Sequence, residues 1–159
     1  MLVIIRAFIM AGKEVHFDKT YEWALEIGFT EEEAKQIAHA NWQIDIIQSD
    51  ERYERARHLN VNWLGWLFCR GEPSQMRHAE KHLKEAIKKK SLAELGEGLH
   101  SVQDLISHGK WPFFGYHWLG PWWGLRKYNP DKDFSVEKMK MMESKTKDYL
   151  RRYLEGARE

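Results

Sequence analysis

Cysteine is nearly absent from this chain: Cys69 is the single one among 159 residues. No disulfide can form within it, and a cysteine-rich structural zinc site is excluded. Proline is scarce too, with four residues, and Pro112, Pro121 and Pro130 all fall in one stretch. There is no excess of charge of either sign, because 25 basic and 24 acidic side chains leave +1. Such a chain exerts no general pull on nucleic acid or anionic lipid, so a phosphate-bearing substrate has to be held by a local site such as a metal. Long hydrophobic runs are missing as well. The opening MLVIIRAFIMAG is apolar apart from Arg6, but it is too short to span a bilayer and lacks the basic start of a secretory signal. It is expected to pack on the core as a strand or helix start. Neither a glycine-rich phosphate loop, an internal repeat nor a linker is present, and strand alternation is confined to about residues 2–9.

What remains is a balance of 43% hydrophobic and 31% charged residues with a mean hydropathy of −0.66. That balance belongs to a soluble globular protein, expected to be cytoplasmic, with residues 1–159 forming a single domain. The pattern is helical. Tyr21 to Ile27 reads as a helix stopped by Gly28. Thr30 and Glu33 make a capping box that opens a helix to Gln48, and Ser91 and Glu94 make another that opens a helix to about Ser107. Ser74 to Lys90 is a charged amphipathic helix whose basic end suits the negative end of its dipole. Ser135 to Glu155 carries Val136, Met139, Met142, Thr146, Tyr149, Leu150 and Tyr153 at helical spacing. Gly96 and Gly98 lower helix propensity, or else admit a neighbouring helix at close range. Between Gly109 and Asp133 the Gly and Pro residues rule out a continuous helix.

Eight His and eight Trp stand out. Packing readily accounts for Trp, but His is only intermediate in burial and is the commonest metal ligand. His100, Asp104 and His108 recur every four residues, so each step drifts by only about 40° and all three lie on one helical stripe. Imidazole nitrogen and carboxylate oxygen are ordinary zinc ligands. The bland alternative is a solvent face, although Leu99, Val102, Leu105 and Ile106 leave that face narrow. His16 is placed just before the first helix. Asp45 lies in an apolar IDII run, where a carboxylate is costly unless paired with a partner such as Arg52 or Arg55, or bound to metal. His58 follows it. His117 sits in the Trp-rich stretch with Asp131 and Asp133 after it, and is either a ligand or one aromatic ring stacked among others. His78 and His82 are four apart on the charged helix and read as a solvated face rather than a metal pair. His39 carries less signal, and Cys69 reads as a small core residue.

Two segments, HFDKTYEWALEIGFTEEEAKQIAHANWQID (16–45) and LGEGLHSVQDLISHG (95–109), resemble the zinc-dependent phospholipase C and P1-type nuclease family, in particular its short bacterial members. The resemblance implies an all-α compact helical bundle with one to three zinc ions. By that resemblance Asp45, His58, His100 and Asp104 hold one metal. His16 holds a second with Asp104 bridging, and His108, His117 and Asp133 (with Asp131 behind it) hold a third. The activity implied is that of a hydrolase, a phosphodiesterase attacking a phospholipid head group or nucleic acid with metal-activated water, in which Asp45 orients the water or takes its proton. The alternative is a non-catalytic, metal-stabilised helical binding domain.

Overall fold

The computed structural model describes residues 13–46, 71–108 and 135–158, and among them every element is helical. A π-helical turn, Glu14–Lys19, runs without a break into α1, Thr20–Ile27. Then come α2 (Glu31–Ile46), α3 (Gly71–Lys89), α4 (Leu92–His108) and α5 (Val136–Arg158). The all-α expectation is met. The stretches 1–12 and 109–133, with the expected strand or helix start and the Trp-rich segment, lie outside the described residues, as does the end of the second helix beyond Ile46.

Local chemistry accounts for the boundaries. Gly28 sits at φ 106° as the left-handed stop of α1, its amide donating to the Leu25 carbonyl and the Phe29 amide to that of Ala24. The first capping box closes in both directions. The Glu33 amide donates to Thr30 Oγ1 at 3.3 Å, and the Thr30 amide donates to Glu33 Oε2 at 2.9 Å. The second closes in one direction only. The Glu94 amide donates to Ser91 Oγ at 3.3 Å, but the Glu94 carboxylate turns to His82 and Lys89 instead. Ser135 caps α5 by accepting from the Lys138 amide. Lys138 Nζ in turn donates to the Ser107 carbonyl in the last turn of α4, where a cation suits the dipole.

Helix α4 is the centre of the bundle and packs on α2, α3 and α5. Its Leu95, Leu99 and Val102 share one core with Ile37 of α2, Leu83 of α3 and Leu150 of α5. Full burial of such a side chain stabilises by roughly 1.5–3 kcal/mol each. Of the stripe expected on the last helix, Met142, Thr146, Tyr149, Leu150 and Tyr153 are buried. Val136, in the first turn of α5, is 72% exposed and takes no part in the core.

The two glycines of α4 are sites of close approach. A Cβ at Gly96 would lie 2.6 Å from the Ile37 carbonyl oxygen and 2.9 Å from the Asn41 amide nitrogen. At Gly98 it would lie 2.0 Å from the Tyr149 hydroxyl, which donates to the Ala79 carbonyl. Removing Cβ at these two positions lets α2 and α5 approach α4, and that approach positions the site.

Helices α3 and α4 are joined by a turn in which Lys90 adopts φ 51°. A side chain in the left-handed region costs about 1–2 kcal/mol, and glycine escapes that cost. Lys90→Gly is therefore expected to raise stability by about 1 kcal/mol, which chemical denaturation of the two proteins measures. Among the described residues, no helix is long and apolar enough to cross a membrane.

Candidate metal centre

Three separate stretches bring four ligand-type side chains to one point. The π turn carries His16, the last turn of α2 carries Asp45, and α4 carries His100 and Asp104 one turn apart. His16 Nε2 lies 3.9 Å from Asp45 Oδ2 and 3.5 Å from Asp104 Oδ1. His100 Nε2 lies 3.7 Å from Asp45 Oδ1 and 3.3 Å from Asp104 Oδ2. Each carboxylate thus offers one oxygen to each imidazole. The two rings stand 4.4 Å apart, tilted by 32°. His100 is fully buried and Asp104 nearly so, while the Asp45 side chain is 25% exposed and forms the open edge.

The protons on the two rings can be placed by elimination. The His100 Nδ1 faces the Asn41 backbone carbonyl at 3.1 Å and Asn41 Oδ1 at 3.2 Å. A carbonyl only accepts, so Nδ1 carries hydrogen. For His16, the constraint begins at Thr20. Its hydroxyl donates to the Val15 carbonyl at 3.1 Å and therefore accepts from Asn41 Nδ2 and Gln103 Nε2. Gln103 Nε2 also donates to Thr146 Oγ1, which leaves Gln103 Oε1 to accept from Asn41 Nδ2 at 2.9 Å and from His16 Nδ1 at 2.8 Å. Every donor and acceptor of the Gln103 amide is then used. With Nδ1 held in this way on each ring, Nε2 is the nitrogen turned toward the two carboxylates.

Imidazole nitrogens facing carboxylate oxygens are stabilised by a cation between them, either a proton on Nε2 or a metal ion. The spacing leaves room for a metal ion. Charge-assisted N–H···O bonds close to about 2.7–2.9 Å, and all four contacts are longer. Tetrahedral ligands at about 2.0–2.1 Å from zinc lie about 3.3–3.4 Å from one another, and the imidazole–carboxylate separations of 3.3–3.9 Å approach that value. One nitrogen or oxygen from each of His16, Asp45 and His100 falls within 4.8 Å of the other two. With a divalent ion on both Nε2 atoms the imidazoles would be neutral, and the two carboxylates would balance its charge.

The predicted ligands fare unevenly. His16, Asp45, His100 and Asp104 are brought together. His16 stands against both carboxylates rather than Asp104 alone, and it lies within a helical run rather than before one. The wide turn there has a local cause, since the Val15 carbonyl accepts from both the amide and the hydroxyl of Thr20. Such turns recur at functional sites. Asp45 faces His16 and His100, and its postulated partners Arg52 and Arg55 lie outside the described residues. So do His58, His117, Asp131 and Asp133. His108 closes α4, but its side chain is not among those described.

Thr20, Asn41, Gln103 and Thr146 escape a search for ligands because none of them is a usual one. Their signal is subtler: each is a polar residue on an otherwise apolar stripe, and all four are buried. Partners that orient metal-bound imidazoles are worth about 10–100-fold in metal affinity. Should the centre hold a divalent ion, Gln103→Met is expected to weaken its binding by that factor while leaving Asp45, His100 and Asp104 in place. A competition titration with a chromophoric chelator reads the change directly.

Set beside known proteins, the chain matches no family model, no curated protein and no solved structure.

Proposed function

We propose that the chain is a zinc-dependent hydrolase of phosphate esters, acting at the His16, Asp45, His100 and Asp104 centre in the manner of the phospholipase C and P1-type nuclease family. The observation that carries the proposal is the paired imidazole arrangement: two Nε2 atoms directed at two carboxylates, with both Nδ1 atoms facing carbonyl oxygens. Nitrogen and carboxylate oxygen in this ratio suit zinc better than magnesium or calcium, which favour all-oxygen sites. Bound zinc supplies Lewis acidity, drawing the pKa of a water toward neutrality and offsetting charge on phosphoryl oxygens.

The chain's own residues divide the remaining work. Gln103 and Asn41 hold the imidazoles by their Nδ1 protons, so that Nε2 stays the ligand atom. Asp104, buried and facing both rings, sets the negative charge of the site. Asp45 is the carboxylate with an edge to solvent, placed to orient an incoming water and to take its proton. A phosphodiester of a lipid head group or of nucleic acid is the substrate class. With a net charge of +1 over the chain, its attraction to the protein rests on the centre itself.

The test combines elemental analysis of the purified protein with turnover of bis(p-nitrophenyl) phosphate, phosphatidylcholine vesicles and single-stranded DNA. Zinc near stoichiometry with chelator-sensitive cleavage of one of these is the expected result. Asp45→Asn should lower turnover by at least about 100-fold, within the range that general-base removal costs. A protein without metal defeats the proposal. A second reading, a metal-stabilised binding domain without catalysis, is favoured by the burial of His100 and Asp104, since structural zinc sites are closed. Full zinc loading with no turnover of any phosphoester selects it.

A further inference from the structure

A second group of metal-type ligands lies between α3 and α4, apart from the centre just described. His78 and His82 are one turn apart on α3, and Glu97 comes from the first half of α4. These two histidines, expected to form a solvated face, are instead turned inward against α4. His82 is only 12% exposed at its side chain. The reason lies in the short turn at Lys90 and Ser91, which folds the histidine-bearing face of α3 onto Glu94, Glu97 and Ser101.

The geometry repeats the logic of the first centre with different residues. His82 Nδ1 lies 2.7 Å from Glu94 Oε2. Lys89 Nζ donates to the other oxygen of the same carboxylate at 3.1 Å. Glu94 therefore accepts on both oxygens, and His82 Nδ1 carries the hydrogen. That leaves His82 Nε2 as the ligand atom, 3.8 Å from Glu97 Oε1. The spacing exceeds that of a hydrogen bond and approaches the separation of two ligands on one ion. His78 Nδ1 meets Ser101 Oγ at 3.0 Å, and its ring stands 4.3 Å from that of His82. One ligand atom from each of His78, His82 and Glu97 lies within 4.8 Å of the others. A carboxylate holding the far nitrogen of a metal-binding imidazole is the usual outer partner of such sites.

We infer that His78, His82 and Glu97 form a second, independent site for a divalent transition-metal ion, oriented by Glu94 and Ser101 and clamping α3 to α4. Two imidazoles and one carboxylate make it selective for zinc-like ions over magnesium and calcium. All three ligands are half-buried rather than buried. The ion therefore retains a position open to water or to an outside ligand, and it exchanges faster than an ion at the His100 centre.

The full chain, stripped with chelator and titrated with Zn2+ by calorimetry, tests the inference. Wild type is expected to take up one equivalent more than Glu97→Gln. Asp104→Asn, which removes a ligand of the other centre only, should keep that equivalent. Zinc should also raise the melting temperature of Asp104→Asn but not of the double variant Asp104→Asn/Glu97→Gln. Circular dichroism establishes that each variant is folded, and His78→Asn serves as the alternative should Glu97→Gln fail to fold. Uptake of the same number of equivalents by wild type and by either folded variant, Glu97→Gln or His78→Asn, overturns the inference. So does an Asp104→Asn protein that binds no zinc. Because Asp104→Asn isolates the second site, failure here leaves the His100 centre unaffected, and failure at that centre leaves this one standing.

Discussion

Asp104→Asn is expected to reduce zinc affinity at the His16, Asp45 and His100 centre by well over 100-fold, beyond the 10–100-fold typical of losing an outer partner. Asp104 alone among the four is a nearly buried carboxylate facing both imidazoles at 3.3 and 3.5 Å. Asparagine keeps its shape, loses the charge and offers a weaker ligand atom. Asp104→Asn is therefore expected to gain little or nothing in melting temperature from zinc at this centre. Scanning calorimetry of both proteins, with and without metal, reads the loss. A variant that retains full zinc affinity would contradict the assignment of Asp104 as a ligand.

The second large effect is expected at a residue that touches no ligand. Gly96→Ala improves intrinsic helix propensity by about 1 kcal/mol, and on a free helical surface it would stabilise. Here the new Cβ meets the Ile37 carbonyl oxygen at 2.6 Å, Ala40 Cβ at 2.7 Å and the Asn41 amide nitrogen at 2.9 Å. Two of these are backbone atoms and cannot rotate away. Overpacking of this kind costs about 1–3 kcal/mol and sometimes more, so a net loss of roughly 2 kcal/mol is expected, near 4–8 °C in melting temperature for a chain of this size. Because the contact separates α2 from α4, it also moves Asp45 and the Asn41 carbonyl away from His100. Zinc affinity should fall at least tenfold along with stability. Gly156→Ala is the control. Its Cβ would meet only the side chain of Ile87, at 2.7 Å to the flexible Cδ1, so a much smaller cost and unchanged zinc affinity are expected. Equal effects from the two glycines would mean that the α2–α4 approach does not set the site.

Much of the local structure is legible along the chain because its causes are local. Gly28 marks the end of α1 since a left-handed residue is needed there. Thr30 and Glu33 mark the start of α2 because their side chains reach each other's amides across a single turn. His100 and Asp104 share a stripe by helical geometry alone. The misreadings have a common origin. Glu94 fits a capping box by spacing, but partners on α3 and at Lys89 compete for its carboxylate and win. His78 and His82 sit among lysines, and local composition suggested water around them, whereas the face opposite is supplied by α4. Val136 keeps the helical period yet falls in the first turn, where no described element covers it.

The sequence by itself determined that this is a helical protein, where several of its helices stop, and which residue types could bind a metal. Those properties depend on contacts within one or two turns. Only the tertiary structure decided which of the candidates meet. His16 and Asp45 are 29 positions apart and His100 a further 55, so no periodicity connects them. Their meeting depends on the π turn at Val15, on the absence of a side chain at Gly96, and on one amide, that of Gln103, which joins the first helical run to α2, α4 and α5. The Nδ1 hydrogens of the two imidazoles were likewise beyond the reach of spacing. They follow from carbonyl oxygens, which only accept, and such a constraint exists only once the helices are packed.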